Sequence, residues 1–174
     1  HRVMGQAKIA HGGHGNDEIN GMDGDATLLG GFGADSLVGN GGDDTINGGP
    51  LSDVIFGNAG NDFVNGGFGF DRINGGAGAD RFFHLGIPDH ASDWIQDFTA
   101  ADGDVLIFGQ ADARADQFQV NAATTEGAGA ADVAEAFVIY RPTGQIIWAL
   151  VDGMGNDAIN LQIAGSGAVF NLLA

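Results

Sequence analysis

Seven carboxylates recur at intervals of nine or eighteen residues: Asp17, Asp35, Asp44, Asp53, Asp62, Asp71 and Asp80. Each closes a short glycine-rich stretch, and each is followed two places on by a large apolar residue. One carboxylate is a weak ligand, but a regular series of them set in glycine loops offers many hard oxygens, both carboxylate and carbonyl. Calcium takes about six to eight such oxygens, whereas softer metals favour His or Cys. The chemistry to which this spacing points is therefore repeated coordination of a hard divalent cation.

The elements that must position these groups follow from the full frame, Gly-Gly-x-Gly-x-Asp-x-apolar-x. Eight consecutive units fit it from Gly12 to Phe83: GGHGNDEIN, GMDGDATLL, GGFGADSLV, GNGGDDTIN, GGPLSDVIF, GNAGNDFVN, GGFGFDRIN and GGAGADRFF. A strict short period signals a solenoid, and a flexible glycine linker would not hold Asp and an apolar residue at fixed offsets. Glycines at the first, second and fourth places let the backbone curl and turn its carbonyls toward a common centre. The candidate ligands are accordingly Gly13, Gly15, Asp17, Gly31, Gly33, Asp35, Gly42, Asp44, Gly49, Asp53, Gly60, Asp62, Gly67, Gly69, Asp71, Gly76, Gly78 and Asp80. The eighth place supplies the core: Ile19, Leu28, Leu37, Ile46, Ile55, Val64, Ile73 and Phe82 are the inward side chains expected of short strands.

Two units make one coil of eighteen residues, so every second unit stacks on the same edge and the aspartates form two rows. Asp17, Asp35, Asp53 and Asp71 leave three gaps between turns; Asp44, Asp62 and Asp80 leave two, because Ala26 stands where that row would begin. Five internal sites are predicted. Met22 and Leu51 replace glycines where a side chain resists left-handed geometry, so sites touching those turns should be weak or absent.

The block from Gly12 to Phe83 resembles the RTX (repeats-in-toxin) proteins, whose nonapeptides form a calcium-binding parallel β-roll. The likeness continues through Ala91 to Phe98 and Asp104 to Leu106, which look like the segment after the roll in serralysin-type secreted metalloproteases. It implies that Asp93 and Asp104, each in an Asp-x-apolar frame, close the last calcium sites and raise the count from five to about seven. Asp89, in the loop before them, is a weaker candidate. The resemblance also implies export through a type I secretion machinery and a secreted or cell-surface location. The alternative it raises is a polysaccharide-binding or adhesin module, since the mannuronan epimerases carry similar rolls. The terminal stretch Ala168–Ala174 is suitably apolar for an export signal but lacks the acidic residue often found near the end in that family.

Composition bounds these readings. The chain has 174 residues, no cysteine, and 23 acidic against 6 basic residues, a formal charge of -17. Within the repeats 11 acidic residues face 2 arginines, a net of -9, and 21 of the 32 glycines lie there. The metal-free repeats thus repel themselves and lose much entropy on ordering, so folding is expected to depend on calcium. The acidic balance argues against nucleic acid, no apolar run is long enough for a transmembrane segment, and no signal-peptide pattern opens the chain. The start at His1-Arg2-Val3 suggests a fragment or processed product, and calcium can substitute for the missing disulfides of an exported protein.

Three regions are expected: a lead-in at 1–11, an all-β roll at 12–83 and a β-rich cap at 84–174. Strands are predicted over 117–120, 136–140, 145–151, 158–163 and 169–173. Asp152 to Asn160 imitates a ninth repeat but reads as a hairpin between two strands. His11 and His14 have zinc-like spacing without a third ligand and read as turn residues. Trp94, Tyr140 and Trp148 are assigned to packing in preference to a sugar platform. No HExxH helix, GxSxG elbow or phosphate loop occurs, and the chain is not expected to be an enzyme.

Overall fold

The computed structural model describes the backbone of residues 2–4 and all of residues 9–174. The lead-in expected at 1–11 falls partly outside these, at residues 1 and 5–8. Ten strands precede residue 85: β1 (Arg2–Met4), β2 (Ile9–His14), β3 (Glu18–Asn20), β4 (Thr27–Phe32), β5 (Ser36–Gly41), β6 (Thr45–Pro50), β7 (Val54–Ala59), β8 (Phe63–Phe68), β9 (Arg72–Ala77) and β10 (Arg81–His84). Seven follow: β11 (Asp93–Ile95), β12 (Val105–Phe108), β13 (Phe118–Ala123), β14 (Glu135–Tyr140), β15 (Gln145–Leu150), β16 (Asn160–Ile163) and β17 (Val169–Asn171). The five strands expected after the roll are present as β13 to β17.

The strands alternate between two sheets, ordered β1-β3-β5-β7-β9-β11-β15-β14-β13 and β17-β16-β12-β10-β8-β6-β4-β2. Pairing is parallel up to β15 and β16, and antiparallel only where β14, β13 and β17 are added. The architecture is therefore an all-β parallel roll with antiparallel strands covering the far end of each sheet. A covered end matters because the last rung of a solenoid otherwise presents unpaired backbone.

Period-two alternation explains the core. The eighth-place residues stack in register, Ile19 on Leu37, Ile55 and Ile73 in one sheet and Leu28 on Ile46, Val64 and Phe82 in the other. All are essentially inaccessible to solvent. Beyond the repeats the columns continue through Ile95 to Leu150 and through Leu106 to Leu161. Phe108, Phe118, Tyr140 and Trp148 then pack as a ring cluster that widens the core beneath the antiparallel strands. The tryptophans and the tyrosine do not assemble into a platform, since Trp148 is fully buried and Trp94 packs edge-on against Phe137.

The segment Asp152–Asn160 departs from the expected hairpin. It leaves β15 in one sheet and enters β16 in the other, so it crosses an edge of the roll as the repeat loops do. Its turn is a 3-10 helix over Gly153–Gly155, with Asn156 accepting from the Ala100 N–H and donating to the Phe98 carbonyl. Those contacts hold it against the loop one rung earlier, which sequence spacing alone does not reveal.

Candidate metal sites

Each repeat contributes a six-residue loop at one of two edges. The first edge carries residues 12–17, 30–35, 48–53 and 66–71; the second carries 21–26, 39–44, 57–62 and 75–80. The second-place and fourth-place residues of every loop have positive φ, including the candidate ligands Gly13, Gly15, Gly31, Gly33, Gly42, Gly49, Gly60, Gly67, Gly69, Gly76 and Gly78. Met22 (φ 67°) and Leu51 (φ 81°) adopt the same geometry despite their side chains, as do Asn40 and Asn58. The neighbouring turns thus impose the loop shape, at a cost of about 1–2 kcal/mol for each bulky residue held there.

The aspartates form the two expected rows. Oδ1 of Asp35, Asp53 and Asp71 accepts from the backbone N–H of Asp17, Asp35 and Asp53 at 2.7–2.8 Å. On the second edge Asp44, Asp62 and Asp80 accept in the same way from Ala26, Asp44 and Asp62 at 2.8–2.9 Å. Asp93 and Asp104 occupy the next rungs: Asp93 lies against Asp71, and Asp104 Oδ1 accepts from the Asp80 N–H at 2.9 Å. Both rows stop there, because Trp148 is the residue opposite Asp93 on the following strand and β16 brings no carboxylate beside Asp104.

The other carboxylate oxygen carries the chemical information. Oδ2 of Asp35, Asp44, Asp53, Asp62, Asp71 and Asp80 is buried and has no hydrogen-bond partner. Each of these oxygens lies beside the first-place glycine of its own loop, and in several loops a carbonyl from the next turn converges on the same point. A Cβ built on Gly48 would collide with both Asp53 Oδ2 and the Gly66 carbonyl; on Gly57, with Asp62 Oδ2 and the Gly75 carbonyl. Second-place and fourth-place carbonyls, such as those of Gly31 and Gly60, reach forward to Gly49 and Gly78. Oxygens converge on these gaps from both sides, and no donor meets the aspartate Oδ2 atoms among them. Buried acceptors without donors are costly unless a cation joins them, and an all-oxygen set suits calcium.

Burial disfavours the charged form of these groups. It is the main cause that pushes Asp53 and Asp62 up to about 7, helped by the neighbouring carboxylates and opposed by the backbone N–H each accepts. Asp71 and Asp104 rise to about 6 for the same leading reason, and Asp93 is raised well above the carboxylate range by burial and by Asp71.

Two features were missed in the sequence although their signals were there. Glycine occupies the first place in all eight units, while the second and fourth admit Met, Asn or Leu. The reason is the collision just described: in seven units the first place is closed to a side chain by its own aspartate, and at Gly21, whose unit carries Ala26, the Gly39 carbonyl closes it. The second feature is a ladder at the fifth place, where Asp25, Asp43 and Asn61 accept from the backbone N–H of Asp43, Asn61 and Ala79 at 2.8–2.9 Å. The equivalent on the first edge is broken, with Asn16 bonding Ala34 and Ser52 bonding Phe70.

Asp104 differs from the repeat aspartates. Its Oδ2 accepts from Thr99 N–H at 2.8 Å, so both of its oxygens are engaged by protein. Asp97 accepts from the N–H groups of Gly75 and Gly76 at 2.9 and 2.7 Å and ties the last repeat loop to the segment that follows. Asp89 is exposed. His14 stacks on Phe32 with centroids 5.0 Å apart, and no group of three or more metal-ligating His, Cys, Asp or Glu side chains occurs among the described residues.

The repeat pattern matches a known family model. The family model for the RTX calcium-binding nonapeptide repeat matches four times, over residues 9–28, 20–55, 38–71 and 56–85. Among solved structures, the chain is similar to the AlgE6R3 subunit of the mannuronan C5-epimerase from Azotobacter vinelandii, determined in solution. The identity is 26%, covering 91% of this chain and 87% of that one, with a TM-score of 0.49. No curated protein matches.

Proposed function

Residues 9–85 belong to the RTX calcium-binding nonapeptide repeat family, and on that premise we propose that this chain is a calcium-triggered folding module of a larger secreted protein. The observation that carries the reading is the set of six buried Asp Oδ2 atoms without a hydrogen-bond partner, four of which, on Asp35, Asp44, Asp53 and Asp62, share their gap with a carbonyl of the next turn. Without a cation these like charges are buried against one another; calcium supplies the charge and the coordination that offset this. In each gap the ion would be held by an aspartate, by second-place and fourth-place carbonyls and by a first-place carbonyl of the following turn. Five internal gaps, with a further site at Asp93 and one at Asp104 whose oxygens would be shared with the Asp80 and Thr99 N–H donors, give the five to seven ions of the proposal.

Modules of this kind bind calcium at roughly 0.1–1 mM, the extracellular range. Inside a cell the chain would stay unfolded and suited to passage through a type I exporter; outside, ordering would follow, as metal binding and folding are one equilibrium. The module has no catalytic role in this reading, and no helix among the described residues is long and apolar enough to cross a membrane.

Circular dichroism in excess chelator and during calcium titration tests the folding half, with strand signal expected only as calcium reaches the stated range. A passenger fused to this chain and co-produced with a type I exporter tests the other half. Retention of the passenger in the cytoplasm would remove the export role and leave calcium-dependent folding standing.

A further inference from the structure

The loops of the first edge carry an apolar row that the fold itself does not use. On successive turns Phe32, Leu51 and Phe70 are 61%, 62% and 64% exposed, and Phe68 beside them is 45% exposed. Third-place residues stack in register along the row, His14 with Phe32 and Pro50 with Phe68. Leu51 is the most telling member. Its backbone is left-handed (φ 81°) at a fourth place that is glycine in the other seven units. The side chain therefore strains its own loop and, standing mostly in solvent, recovers little of that cost by packing. No Asp, Glu, Lys or Arg occupies the third to fifth places of these four loops, although the chain has a net charge of -17. The matching places of the second edge hold Asp23, Asp25 and Asp43 and no large apolar side chain.

We propose that this edge is a membrane-docking surface, which sinks Phe32, Leu51, Phe68 and Phe70 into the interface of a zwitterionic phospholipid bilayer. Area and charge select that occupant. At about 200 Å² for each side chain fully exposed, the four present roughly 450 Å² of apolar surface. A stable protein interface buries about 800 Å² on each partner, so a second copy of the chain or another protein finds too little here. A bilayer sets no such minimum, because each apolar side chain that passes the headgroups contributes separately. The row is uncharged apart from His14 and needs no counter-charge in the lipid, whereas an anionic surface repels the acidic chain around it. The second edge, with its outward aspartates, stays in water. Docking rests on the calcium-triggered fold proposed above, which lines these loops up, and not on export.

The test is co-sedimentation of the full chain in calcium with phosphatidylcholine vesicles, with circular dichroism on the same samples to establish that it is folded. The chain should bind, and Phe32→Ser and Phe70→Ser should each weaken the partition about fivefold. Leu51→Gly should weaken it by a similar factor while raising the thermal midpoint, opposite shifts that a residue serving only the fold would not give. Met22→Gly relieves the same strain on the second edge and should leave binding unchanged. A chain equally folded in chelator would remove the calcium reading, and the same vesicle measurement would still decide this one. Four results would each overturn the proposal: a folded chain that does not bind phosphatidylcholine, binding undiminished by Leu51→Gly and both serine variants, binding only to vesicles that contain phosphatidylglycerol, or sedimentation of the free chain as a dimer that Phe70→Ser dissociates.

Discussion

The two edges of the roll are built from the same loop yet present opposite surfaces. At the third to fifth places the first edge carries His14, Phe32, Pro50, Leu51, Phe68 and Phe70, several of them largely exposed. The second edge carries Asp23, Asp25, Asn40, Asp43, Asn58 and Asn61 at its second, third and fifth places. Inside, both bury the same aspartates with the same bare Oδ2. Positions that converge on the inter-turn gaps tolerate little variation, while positions that face outward are free to diverge. The outward places of the second edge also add negative charge next to the ligands, since Asp25 and Asp43 act on Asp44, and after the repeats Asp97 and Asp102 act in the same way on Asp80.

The sharpest way to break the comparison is to remove what the edges share. Deleting residues after Phe83 takes away β11, β12, β15 and β16, the parallel rungs that continue both core columns. The remaining roll should stay disordered in calcium by circular dichroism, since a thin glycine-rich solenoid lacks apolar surface of its own. A truncated roll that folds like the full chain would mean that both edges close without the cap.

Next in size is the loss of a shared ligand. Asp53→Ala and Asp62→Ala each disturb two gaps, one variant per edge, whereas Asp17→Ala disturbs one. Calorimetric titration should show about twice the loss of calcium equivalents for the two central variants as for Asp17→Ala. Equal losses for all three would contradict the pairing along rows.

Acid should act on both edges alike. Asp53 and Asp62 titrate at about 7 in the metal-free fold against an ordinary value of 3.8. A raised folded pKa contributes stability that is fully present below 3.8 and is lost as pH rises through about 7. The calcium-free chain should therefore show its greatest residual structure near pH 4 and least above 7. For the same reason protons compete with the ion, and the calcium midpoint should rise as pH falls from about 8 to 6. A midpoint that does not move over that range would show the ligands to be fully ionised throughout.

The smallest effects separate the edges. Leu51→Gly on the first and Met22→Gly on the second should each stabilise the calcium-loaded roll by up to about 1 kcal/mol in thermal denaturation, because glycine removes the left-handed penalty. Asp43→Asn keeps the fifth-place hydrogen bond, as Asn61 does, but removes a charge acting on Asp44 and Asp62. Calcium affinity should fall by a factor of a few, and the difference should shrink with added salt. The first edge carries no acidic residue at its fifth places, so Asn16→Ala should change affinity without that salt dependence.

Much of this was legible in the chain because the period is strict. Nine-residue spacing fixes the strand, the loop, the inward residue and the row to which each aspartate belongs, and the parallel stack follows from backbone geometry with little help from distant contacts. Asp93 and Asp104 could be placed on their rungs by the same Asp-x-apolar frame. Only the tertiary structure decided that Asp104 is already bonded by Thr99, that Asp97 ties back to Gly75 and Gly76, and that Asp152 to Asn160 crosses between sheets and does not fold as a hairpin. These depend on loops of irregular length, where no repeat sets the register and the partner is chosen by packing across tens of residues. The same holds for Met22 and Leu51: local preference opposes their backbone geometry, and the turns above and below impose it, because a parallel ladder cannot change the shape of one rung without losing its hydrogen bonds to both neighbours.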